Sequence, residues 1–137
     1  MYTYKSPRHE LNISGRRSIG FYGEEIAGGS NRETDENTRW EWDAVRIFKI
    51  DPDWAKHQEE KTGKKLDPYR VGIARCTKME GDRDKYRVFY CKTLDQILQI
   101  VKSHLPIFNR EIEEQIRYYN VPTGGLGDES RARPVEP

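Results

Sequence analysis

One stretch does most to limit what this chain can fold into: residues 69–105, which read as strand, turn, strand and capped helix. Tyr69, Val71 and Ile73 alternate with Arg70, Gly72 and Ala74, the period of a half-buried strand. Glu80-Gly81-Asp82-Arg83-Asp84 is turn chemistry, because Gly tolerates positive φ and Asp bonds its own backbone. Tyr86, Val88 and Tyr90 then alternate with Arg87 and Phe89, so the two runs predict a β-hairpin. A loop at Gly81 to Asp84 sets Val71, Ile73, Tyr86, Val88 and Tyr90 on one face and Ala74, Cys76, Phe89 and Cys91 on the other. A one-residue slip exchanges the faces of one strand. Thr93 with Gln96 three residues on is a capping box. Leu94, Ile97, Leu98, Val101 and Leu105 follow as a helical apolar stripe, and Pro106 stops or bends that helix.

The remaining elements are weaker. Residues 1–16 hold Lys5, Arg8, His9 and Arg16 among polar neighbours and read as a flexible basic arm. Ile19, Phe21 and Tyr22 suggest a short strand over 18–26, broken by Ala27-Gly28-Gly29-Ser30. Arg39 to Ile50 is the longest strand candidate, with Trp40, Trp42, Ala44, Phe48 and Ile50 on one face and Val45 and Ile47 on the other. Asp51-Pro52 ends it, and Asp53 is placed to cap a short surface helix that closes near Gly63. Asn109 opens a last helix with Phe108, Ile112, Ile116 and Tyr119 at helical spacing. From 121 to 137 Pro, Gly and charge dominate, the composition of a disordered tail.

The expected fold is therefore α+β: a small antiparallel sheet of three or four strands with two or three helices, in one domain over 17–120. Hydrophobic residues are 34 % of the chain and charged residues also 34 %, against about 25 % charged in ordinary globular proteins, so the core is small. A formal net charge of +1, from 24 basic and 23 acidic residues, gives no whole-molecule field to draw in nucleic acid or anionic membrane. No stretch approaches the roughly 20 apolar residues of a membrane span, and Met1-Tyr2-Thr3-Tyr4-Lys5 lacks the apolar core of a signal peptide. A cytoplasmic chain without a membrane role is the expectation.

No catalytic, metal or cofactor motif stands out. His9, His57 and His104 are far apart and pair with no Cys or carboxylate at metal-ligand spacing. Cys76 and Cys91 fall on facing strands and are expected reduced, buried and near each other. Asp51, Asp53, Glu59 and Lys61 are the nearest imitation of a metal-dependent nuclease set, but they fall in and beside a surface helix rather than on a core strand. Two binding surfaces are expected instead. A sheet with two apolar faces needs a second cover. The face of Val45, Ile47, Ala74, Cys76 and Phe89 is either covered within the chain by the last helix, with Phe108, Ile112 and Ile116, or is where a protein partner or a second copy docks. Val45, Ile47 and Phe89 are the docking candidates. Arg16, Arg17, Arg39, Trp40, Trp42 and Arg46 are the alternative, a nucleic-acid surface where aromatics stack bases and Arg contacts phosphate.

Phe21-x-Gly23, Arg39-Trp40 leading a strand, Val71-Gly72-Ile73-Ala74 with Thr77 and Gly81-Asp82-Arg83-Asp84, and Cys91-Lys92-Thr93-Leu94 together resemble a loose group of small uncharacterised bacterial proteins that often accompany mobile elements. The resemblance spans about residues 18 to 105 and implies no activity. The function expected is a non-enzymatic binding or regulatory module acting through a protein partner or self-association. The alternative is a nucleic-acid-associated accessory protein of a defence or mobile-element system.

Overall fold

The computed structural model describes residues 4–31, 41–77 and 83–120. The α+β class holds, with five strands rather than three or four: β1 (Arg8–Ile13), β2 (Arg16–Ser30), β3 (Glu41–Ile50), β4 (Tyr69–Thr77) and β5 (Lys85–Cys91). They pair in sequence order as an antiparallel meander. Among the described residues three helices join the strands: α1 (Pro52–Thr62) follows β3, and α2 (Leu94–His104) and α3 (Asn109–Asn120) follow β5, joined by a 3₁₀ turn at Pro106–Phe108.

The additional strand comes from the segment expected to be a loose arm. His9, Leu11 and Ile13 alternate with Arg8, Glu10 and Asn12, and Gly15 takes φ 75° in the tight turn that leads back into β2. Tyr4 stacks on Tyr22 at 4.7 Å and shares a 2.9 Å hydrogen bond with His57. The Ser6 N–H donates to the Asp51 carboxylate at 3.2 Å. Residues 4–16 therefore belong to the folded body. The expected tail, 121–137, lies outside the described residues.

β2 runs through its glycines instead of ending at them, because it serves two layers. Residues 16–22 pair with β1, and residues 23–30 pair with β3. At the join sits Gly23, where a Cβ would stand 2.6 Å from the Lys49 carbonyl oxygen, so only glycine fits. The β1–β2 hairpin thus folds across one face of the β3–β4–β5 sheet. Its tip is tied to β5: the Ser14 N–H donates to Tyr86 O at 3.1 Å, and the Tyr86 N–H donates to Ser14 Oγ at 2.7 Å.

The β4–β5 register is the one-residue alternative to that expected. Val71 faces Phe89, Ile73 faces Arg87 and Gly72 faces Val88. Val45 and Ile47 on β3 face Ile73 and Val71 on β4, so these four share a face with Phe89 and Cys91. Trp42 and Phe48 lie on the other face, with Val88 and not with Val71 and Ile73. Cys76, opposite Trp42, and Cys91, opposite Tyr69, stand on opposite faces of the sheet and are not neighbours. Cys91 is buried, and burial pushes its thiol up, whereas Cys76 is half-buried.

Two cores result, one on each face. α2 and α3 lay Ile97, Val101, Leu105, Phe108, Ile112 and Ile116 on Val45, Ile47, Val71 and Cys91. The other core packs Leu11 and Phe21 of the hairpin on Phe48 and Ile50, with Trp54 of α1 at its margin. Phe21 meets Phe48 edge to face at 5.2 Å, and His9 stacks on Phe48 at 4.6 Å.

The helix ends follow their caps. Thr93 Oγ1 accepts the Gln96 N–H at 3.1 Å, and Gln96 reaches back to the Lys92 N–H at 2.6 Å. Asp51, one residue before Pro52, caps α1 in place of Asp53, since proline suits the first helical position. Gly63 closes α1 at φ 73°, where expected.

Candidate functional site

The hairpin covers only part of its face. Between β1 and the β3–β4 end of the sheet lies a groove of about 140 Å³, bordered by Glu10, Leu11 and Asn12 and lined by Ala44, Arg46, Gly72, Ala74 and Tyr86. Its floor is small because the alternating positions facing the hairpin there are Ala44, Gly72 and Ala74. Gly72 makes room for Leu11, whose Cδ2 would stand 3.0 Å from a Cβ at that position. The volume is close to that of a buried cavity able to hold one benzene ring, about 150 Å³.

The rim is polar and internally matched. Arg46 pairs with Glu25 through Nη2 at 2.8 Å and Nε at 3.3 Å, and its guanidinium lies 4.9 Å from the centre of the Phe48 ring. Arg8 pairs with Glu10 at 3.0 Å. Both pairs are half-exposed, so each stabilises by only about 0–1 kcal/mol. Tyr86 donates its hydroxyl to Asp84 at 3.1 Å, and burial, with that carboxylate beside it, raises the phenol, which stays neutral.

β1 also offers its backbone. The Gly23 N–H donates to Pro7 O at 3.0 Å, which makes residues 7 and 23 a hydrogen-bonded pair. Proline has no N–H to return, and the His9 ring takes the vacant place, its Nε2–H donating to Gly23 O at 3.1 Å. Antiparallel pairs alternate between bonded and non-bonded, so the N–H and C=O groups of Arg8 and Glu10 point away from β2, along the groove side of β1.

The expected docking residues are elsewhere. Val45 and Ile47 are 1 % and 0 % exposed beneath α2 and α3, so the cover their face required is supplied within the chain. Phe89 packs at the edge of the same core, 4.9 Å from the His104 ring. Trp42 and Arg46 share the groove face of β3. Arg16 and Arg17 are exposed just past the hairpin turn, the Ser14 end of which is bonded to β5. Arg39 and Trp40 lie outside the described residues. Glu10, Leu11, Asn12, Ala44, Gly72 and Tyr86 were not among the site residues expected from the sequence, and Ala74, expected on the face of Val45 and Ile47, lies on the opposite one, paired with Ala44. The alternation over residues 8–13 ahead of a Ser-Gly turn was the signal that places the first three.

The carboxylates once considered for a nuclease have structural duties. Asp51 is 3 % exposed, and burial alone would raise its carboxyl, but the N–H groups of Trp54, Ser6 and Asp53 hold it below the usual value of 3.8. Glu59 accepts the Leu66 N–H at 2.9 Å. Among the described residues no group of three or more His, Cys, Asp or Glu is placed to hold a metal ion, and no helix is long and apolar enough to cross a membrane. No protein-family model matches the chain, and neither do any curated proteins or solved structures.

Proposed function

We propose that the protein is a non-enzymatic binding module that engages a protein partner at the groove between β1 and the β3–β4 floor. The observation that carries this is paired charge beside an apolar floor: the rim residues Glu10 and Arg46 each hold an ion-pair partner, Arg8 and Glu25, next to Ala44, Gly72 and Ala74. A matched rim around a small apolar recess suits a protein surface, whose own charges are mixed, better than a phosphate backbone. One observation favours the second reading, a nucleic-acid accessory role: Trp42 and Arg46 share a face, with Arg16 and Arg17 on the hairpin nearby.

A photo-crosslinking residue in place of Asn12, introduced in the cells that make the protein, tests both. A discrete protein adduct that disappears when Ala74→Phe fills the groove supports the first reading. An adduct to nucleic acid transfers the weight to the second, and equal labelling with and without Ala74→Phe removes the groove from either.

A further inference from the structure

We propose that the groove is occupied by an extended peptide segment of the partner, which adds to the outer edge of β1 as a further antiparallel strand. This rests on the groove being the docking site and specifies how it is filled. The argument begins with hydrogen-bond valence. The N–H and C=O groups of Arg8 and Glu10 are turned from β2, and among the described residues the hydrogen bonds that tie the hairpin to β5 are the two between Ser14 and Tyr86. Between those points β1 is an open edge with backbone donors and acceptors in alternation, which an extended backbone satisfies and a helix does not.

Size selects among extended occupants. The floor of Ala44, Gly72 and Ala74 continues beneath the open edge, and the space above it is about 140 Å³. A bare strand carrying one medium apolar side chain fits there. A second copy approaching edge to edge would bring its own sheet, which lies under its own hairpin, against this floor. The occupant is therefore a single segment from a partner.

Its side chains follow from the register. The groove is bordered by Glu10, Leu11 and Asn12, so the incoming residue opposite Leu11 points to the floor, flanked by one beside Asn12 and one beside Glu10. Antiparallel addition meets Asn12 first and Glu10 two residues later. The preferred segment thus carries an apolar residue followed by a basic one, with the apolar residue inside the groove.

The test uses the full chain as bait for a displayed library of random linear octapeptides, followed by synthesis of the enriched sequences. Enrichment of an apolar residue followed by a basic one is expected. Binding should fall by about tenfold or more when an edge-facing peptide N–H is methylated, but not when the next one along is. The Glu10 amide should exchange rapidly with solvent in the free protein and be protected at least about tenfold by the peptide. If peptides bind and Ala74→Phe abolishes it, yet methylation shows no alternation, the groove stands and strand addition is overturned. If no peptide is enriched, or Ala74→Phe leaves binding unchanged, the groove reading itself falls. A Glu10 amide already protected in the free protein, or concentration-dependent dimerisation by light scattering, also overturns the proposal.

Discussion

The two faces of this sheet are made by alternate residues of the same strands, and they are closed in different ways. On one face Val45, Ile47 and Val71 meet six buried residues from α2, α3 and the turn between them. On the other, Phe48 and Ile50 are closed by the β1–β2 hairpin, whose Leu11 reaches Gly72 but leaves Ala44 and Ala74 in the groove. Apolar residues on both faces therefore did not by themselves mark an open surface here; Ala44 and Ala74, where the hairpin ends, line the groove.

The largest expected effect sets the faces apart. Ile47→Asp puts a carboxylate at a site with 0 % exposure and no partner, so it should abolish cooperative urea unfolding, a loss of more than about 4 kcal/mol. A folded Ile47→Asp protein would mean the helix face is not a continuous core.

Leu11→Ala tests whether the hairpin is a true cover. With Leu11 7 % exposed and lodged over Gly72, a loss of about 2–3 kcal/mol is expected in chemical denaturation. A loss under about 0.5 kcal/mol would return residues 8–13 to the status of an arm.

Asp51→Ala removes the acceptor of three backbone N–H groups where α1 meets the N-terminal segment, and should lower stability by about 2 kcal/mol at neutral pH. The sign with pH is fixed by the direction of the shift. The folded carboxyl lies below the 3.8 of the unfolded chain, so its contribution is complete well above pH 3.8 and is lost as pH falls through the folded value. The gap between wild type and Asp51→Ala should therefore narrow below about pH 4. A gap that is constant down to pH 2 would show that the charge is not what holds the cap.

The smallest effects belong to the groove. Gly72→Ala brings a Cβ to 3.0 Å from Leu11 and should cost about 1 kcal/mol, with Leu11 shifting to make room. Ala74→Ser should change stability by less than about 0.5 kcal/mol, because the floor beyond the hairpin is open. A larger loss at Ala74 would show the two faces to be packed alike.

The fold was partly legible before the structure. Residues 69–105 carried their own turn, cap and stripe, so the hairpin and α2 follow from local rules. Face assignment did not, because parity depends on the length of the turn, and Val71 and Ile73 went to the wrong partners through a one-residue slip. The segment over 8–13 was obscured because Arg8, His9, Glu10 and Asn12 are polar, and of its two strongly apolar residues, Leu11 and Ile13, the first is meaningful only against Gly72 sixty-one positions away. The groove was illegible for the same reason: small residues carry no periodic signal of their own. Val45 and Ile47 are apolar and in need of cover, and the sequence left open whether the last helix or a partner supplies it; α3 does so, together with α2.

The bend at Gly23 has a consequence for the order in which the molecule assembles. The hairpin tip is bonded to Tyr86, 72 positions later than Ser14. The earlier-synthesised segment must therefore wait for β5, the later partner in those contacts. Local pairs such as β4 with β5 close small loops and form early, whereas this one closes a large loop. Refolding should thus reach a state in which the β3–β4–β5 meander and its helices are protected while the amides of 8–14 still exchange. The last event is the settling of Leu11 over Gly72, visible as a slow phase that Leu11→Ala leaves out.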